Sequence, residues 1–102
     1  MNSFGLTELQ AWYVVQCDGD WEHTYGVKIE TLDNPGWMLR VDLAETELAG
    51  RAFDRVEVER SEQDWIHAWV ERKVFDSAGG PANLSELIAI FGAFANSAPR
   101  GW

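Results

Sequence analysis

The stretch YGVKIETLDNPGWMLRVDLA, from Tyr25 to Ala44, alternates apolar and polar residues twice over. Val27, Ile29 and Thr31 alternate with Lys28 and Glu30. Trp37, Leu39, Val41 and Leu43 alternate with Met38, Arg40 and Asp42. Period two marks half-buried strands, because successive side chains leave opposite faces of the backbone. Between the runs, Asn34, Pro35, Gly36 and Trp37 form a turn signal: Pro35 pre-sets φ and Gly36 accepts positive φ, which predicts a type II turn and a hairpin. A hairpin with one apolar face must bury that face against another layer, so this segment constrains everything around it.

A second alternating region, DRVEVERSEQDWIHAWVERKVFD, is read as a second hairpin. Val56 and Val58 alternate with Arg55, Glu57 and Glu59, SEQD turns the chain, and Ile66, Ala68 and Val70 then alternate with Trp65, His67 and Trp69. The connector AETELAGRAF carries two apolar anchors, Leu48 and Phe53. SAGGPAN reads as a break.

Helices flank the strands. Thr7 as N-cap with Gln10 three residues on suggests a capping box, followed by Leu9, Trp12, Tyr13 and Gln16 at helical spacing, with Gly19 as the stop. Asn83 with Glu86 opens a second helix whose stripe is Leu84, Leu87, Ile88, Phe91 and Phe94. The expected fold is α+β: a four-stranded antiparallel sheet of two hairpins, with an N-terminal and a C-terminal helix packed on one face. At 102 residues the chain is expected to form a single domain, 1–102, with a core over about 7–95 and a loose tail over 96–102.

Charge narrows the partner classes. Asp and Glu number 17 against 8 Lys and Arg, a formal net charge of −9. Nucleic acid and anionic membrane surfaces repel such a chain, whereas a basic protein is attracted to it. One cysteine, Cys17, allows no internal disulfide, and the N-terminus has no basic region followed by an apolar core. The expected location is the cytoplasm. Nothing in the sequence specifies the oligomeric state.

The segment QCDGDWEHTYG, residues 16–26, concentrates chemically capable groups. Asp18, Asp20 and Glu22 alternate like the start of an EF-hand loop. The sixth and twelfth positions are His23 and Ile29 rather than Gly and Glu, so a calcium loop is not expected. Zinc would need two more ligands beside Cys17 and His23. A Cys17 nucleophile with Glu22 and His23 as an acid–base pair would sit beside acids that raise the thiol pKa. The favoured reading is a rigid joint between helix and sheet. In it Trp21 and Tyr25 plug a gap, Glu22 and His23 satisfy exposed backbone, Asp20 has a mainly structural role, and Glu22 accepts amides of the Gly79–Gly80–Pro81 loop. No metal and no cofactor is expected.

The fourth strand carries the interaction signal. With Ile66, Ala68 and Val70 facing the helices, Trp65, His67 and Trp69 face away, among Glu30, Asp42, Glu57 and Glu59. Tryptophans inside a charged rim are the composition of a protein-binding hot spot.

Five blocks, in order, resemble the immunity protein 53 family of bacterial polymorphic-toxin systems: Leu9 to Tyr13, Gly19 to Gly26, Thr31 to Trp37, Asp64 with Trp65, and Gly79 to Leu84. The resemblance covers roughly residues 9 to 95 and departs at Ala68, where the family is associated with cysteine. It implies a non-catalytic antitoxin whose partner is a cognate protein toxin; the acidic charge suggests a basic toxin such as a nuclease. A small enzyme or metal-dependent hydrolase built on Glu22, His23 and Cys17 is the rival reading, and an adaptor domain without a toxin partner is another.

Overall fold

The computed structural model describes residues 4–96, so the expected tail, apart from Asn96, lies outside the described residues. The order is α1 (Leu6–Gln16), a 3-10 turn (Trp21–His23), β1 (Val27–Leu32), β2 (Gly36–Asp42), β3 (Val56–Ser61), β4 (Asp64–Glu71), β5 (Val74–Gly79) and α2 (Leu84–Ala95). The fold is α+β with an antiparallel sheet and a helix at each end, but the sheet has five strands, not four. Its spatial order is β1-β2-β5-β4-β3.

The extra strand corrects the sequence reading at ERKVFDSAGG. Arg72 and Lys73 both adopt positive φ, 54° and 61°, between the paired residues Glu71 and Val74. That is a two-residue type I′ turn made without Gly or Asn, so the usual hairpin signal is missing. The small residues after Phe75 are also part of the strand rather than a break. Gly79 pairs with Trp37 on one side and Ile66 on the other. A Cβ on Gly80 would lie 2.1 Å from the Gln63 carbonyl oxygen, so close backbone approach demands glycine there.

Alternation places one face of all five strands on the core. Leu39, Val41, Ile66, Ala68 and Phe75 are fully buried and join Leu9 and Trp12 of α1 and Leu87, Ile88, Phe91 and Phe94 of α2 in one cluster. Phe75 sits among rings, 5.5 Å from Phe53 and 5.3 Å from Phe91. The connector is anchored by Leu43 and Leu48, both fully buried, and by Phe53 against the core.

Three local expectations change. Helix α1 starts earlier than Thr7: Gly5 is the N-cap, and its N–H donates to Glu8 Oε1 at 2.8 Å, so Glu8 takes the part assigned to Gln10. The same helix ends at Gln16, with Gly19 (φ 92°) serving the turn beyond it. The first hairpin has a cis Asn34–Pro35 peptide, and Gly36 does not take the positive φ of a type II turn. Gly36 is needed for space instead, since a Cβ would lie 2.3 Å from the Gly79 carbonyl oxygen.

The Arg72–Lys73 turn holds two non-glycine residues in the left-handed region, at a cost of about 1–2 kcal/mol each. Replacing them by Asn-Gly should therefore raise stability by about 1 kcal/mol or more. Chemical denaturation of the double variant against the parent checks this.

Candidate protein-interaction face

The register fixes the neighbours on the sheet face opposite the helices. One row across the strands reads Lys28, Arg40, Asp76, Trp69. The next reads Glu30, Met38, Ala78, His67, Glu57, and Trp65 lies opposite Glu59. Trp65, His67 and Trp69 are half-buried, whereas their neighbours along β4, Ile66 and Ala68, are fully buried in the core. Trp65 and Trp69 thus stand outside the core cluster, on the open face.

Polar groups hold the aromatic stripe in place. His67 Nε2 lies 3.1 Å from Glu59 Oε2, and the Trp65 and His67 rings meet edge to face at 5.4 Å. The Arg55 guanidinium sits 5.1 Å from the centre of the Trp69 ring, a cation–π arrangement. Arg55 also pairs with Glu57 at 2.8 Å and holds that carboxyl below the usual carboxylate range. A recess of about 420 Å³ opens beside the stripe, lined by Glu59, Ser61, Glu62, Trp65 and His67.

The structure groups only some of the expected rim. Glu57 and Glu59 neighbour His67 and Trp65 directly. Glu30 lies three strands from His67, about 14–15 Å at the usual strand spacing. Asp42 is at the far side as well, and its Oδ2 accepts the Gly26 N–H at 2.9 Å. The sequence reading missed Asp76 and Arg55. Asp76 pairs with Arg40 at 3.1 Å in the middle of the face. Both misses follow from the unseen fifth strand and from a loop residue stacking back, although the alternation of VFDSAG carried a signal for the former.

A second polar node supports the stripe from its end. Asn83, nearly buried, accepts the N–H of Trp65 at 3.2 Å and of Gly80 at 3.0 Å through Oδ1. Its Nδ2 donates to Asp64 Oδ1 at 3.1 Å and Glu86 Oε1 at 3.4 Å. Arg60 bridges the same two carboxylates, at 2.9 Å and 2.6 Å. Arg60 first, and Asn83 second, push the Asp64 carboxyl below its usual range, and the two carboxylates raise the Arg60 pKa. Trp37 Nε1 donates to Pro81 O at 2.9 Å, closing the same loop. The expected bond from Glu22 to this loop does not form: Glu22 precedes β1 at the Val27–Val41 end of the sheet, whereas Gly79 pairs with Trp37 at the other end.

The chemically rich segment is otherwise occupied. Glu22 accepts the N–H groups of Asp18 and Gly19 at 3.0 and 2.9 Å. Asp18 accepts those of Trp21 and Asp20, which lower its pKa in that order. Asp20 is exposed, and its carbonyl accepts the His23 N–H. Cys17 Sγ donates to the Tyr13 carbonyl at 3.3 Å. His23 is exposed. Trp21 is buried, donates through Nε1 to Ala44 O at 2.9 Å, and meets the Trp12, Tyr13 and Tyr25 rings. Among the described residues no group of three or more His, Cys, Asp and Glu side chains is set to hold a metal ion, and no helix is long and apolar enough to cross a membrane.

A family model described as immunity protein 53 matches residues 6–96. The chain belongs to that family. Family membership implies an immunity protein whose partner is a toxin. Comparison with curated proteins found no match, and comparison with solved structures found none.

Two tests follow from this geometry. Asn83→Ala should cost about 1–3 kcal/mol by orphaning the Trp65 amide, while the Gly80 N–H keeps the Trp65 carbonyl at 3.1 Å, read by denaturation. The second test uses pH. Asp64 has a folded pKa below its unfolded 3.8, so its contribution is fully present above that value and is lost as pH falls through the lowered one. The melting temperature of Asp64→Asn should therefore fall less than that of the parent between pH 6 and pH 3.

Proposed function

We propose that this immunity protein neutralises its toxin by stoichiometric binding through the open sheet face, with Trp65 and Trp69 as anchors. The supporting observation is the placement of Trp65, His67 and Trp69 on the side opposite both helices, half-exposed and outside the core. Large amphipathic rings supply contact area at low entropy cost, and hot spots are enriched in tryptophan. Glu57, Glu59 and Asp76 beside them, with Glu71 further along β4, make the face predominantly acidic. Its complement is a basic surface. A toxin that acts on nucleic acid must present such a surface to attract phosphate, so a nuclease domain fits the charge. Covering its cleft needs no chemistry from the inhibitor.

Trp65→Ala and Trp69→Ala should retain a cooperative fold and lose about 2 kcal/mol or more of toxin affinity. Calorimetric titration and denaturation on the same variants read the two quantities. Binding at parental affinity, or collapse of the fold, would count against this surface. The association rate should also drop steeply as salt rises, because exposed charges are screened beyond about 8–10 Å at physiological ionic strength. Stopped-flow mixing across a salt series measures it, and a flat rate would argue against a basic partner.

A further inference from the structure

The two edges of the sheet are built differently. β3 is an awkward edge for pairing: its register breaks between Glu59 and Ser61, and it carries Glu57, Glu59 and Arg60. β1 also carries charge, Lys28 and Glu30, but has no register break. Its ladder with β2 runs unbroken from Val27 to Leu32, it contains no proline, and among the described residues no strand lies on its outer side. The Asp42 N–H donates to the Gly26 carbonyl at 3.0 Å. In an antiparallel ladder this sets the phase, so Lys28 and Glu30 bond inward to β2. Val27, Ile29 and Thr31 therefore point their N–H and C=O groups at the open edge.

Apolar surface gathers beside that edge. Ile29 is 36% exposed and Leu6 59% exposed. An apolar groove of about 320 Å³ runs between α1 and β1, lined by Leu6, Leu9, Gln10, Tyr13, Val27 and Ile29. Val14, 65% exposed, continues the Leu6–Gln10 line one turn on.

We propose that β1 pairs with β1 of a second copy, antiparallel about a two-fold axis through Ile29, to give a homodimer with one continuous sheet. Pairing must keep core-facing residues opposite core-facing residues, since a one-residue slip turns every side chain to the wrong face. A two-fold axis at Ile29 sets Ile29 opposite Ile29 and Val27 opposite Thr31, all with outward hydrogen-bonding groups. It also sets Lys28 opposite Glu30 of the second copy, twice by symmetry. An axis at Lys28 or at Glu30 would instead set like charges face to face. The strand is thus self-complementary in one register. The axis is perpendicular to the sheet, so the grooves of the two copies meet on the helix side. The tryptophan faces of both copies lie together on the other side.

The test uses the chain alone. Sedimentation equilibrium across a concentration series should show a monomer–dimer equilibrium. Lys28→Glu and Glu30→Lys should each weaken the dimer by about tenfold or more, since each replaces two attractive oppositions by two repulsive ones. The double variant Lys28→Glu/Glu30→Lys should restore it, with circular dichroism confirming that all three remain folded. A chain that stays monomeric at every concentration overturns the proposal. A dimer indifferent to the single reversals also overturns it, by placing the contact elsewhere. A monomer that loses toxin binding on Lys28→Glu would show a toxin strand on this edge and would equally overturn self-pairing.

Discussion

Phe75 and its strand carry the constraint on which the rest of the molecule depends. β5 lies between β2 and β4, so its backbone must satisfy two ladders while each of its faces meets a different environment. On one side Phe75 is fully buried against Phe53, Phe91 and Phe94, and the Ser77 hydroxyl donates to the Leu39 carbonyl at 2.9 Å. On the other, Asp76 lies between Arg40 and Trp69. A single strand therefore ties the aromatic core to the open face. Displacing it would break both hairpins from each other, because β1–β2 and β3–β4 have no direct pairing.

Asn83 extends that tie into the second helix. It follows the glycines that end β5, precedes α2, and spends both donors and acceptor on β4, its own loop and the Arg60 carboxylate cluster. Its carboxamide puts an acceptor oxygen and a two-proton donor nitrogen on one short side chain. Its bond to the Trp65 amide fixes the first turn of the strand that presents the tryptophans. The face is therefore held by groups that lie behind and beside it, which would reduce the ordering cost of the proposed binding.

Several polar residues of this family member are used for structure. Glu22 and Asp18 accept backbone amides of the turn after α1, and Asn83 accepts the Trp65 amide at the start of β4. The open face offers aromatic area and negative charge, the features on which the proposed binding rests. The two sheet edges differ in regularity: a register break interrupts β3, while β1 keeps a regular ladder.

The sequence by itself determined the first hairpin, the alternation of β4, the C-terminal amphipathic helix and the family, because each rests on local period or on ordered motif residues. Val27 to Thr31 and Trp37 to Leu43 could be read as strands, and Ile66 and Ala68 could be assigned inward, with no knowledge of their neighbours. Tertiary structure alone decided the fifth strand. Arg72 and Lys73 adopt positive φ against their own preference, because the sheet on both sides of β5 holds the chain in that turn. It also decided which charges share the tryptophan patch. Glu57 and Glu59 reach it by pairing with β4, whereas Glu30 and Asp42 share only its face, since strand order and not sequence alternation sets lateral distance.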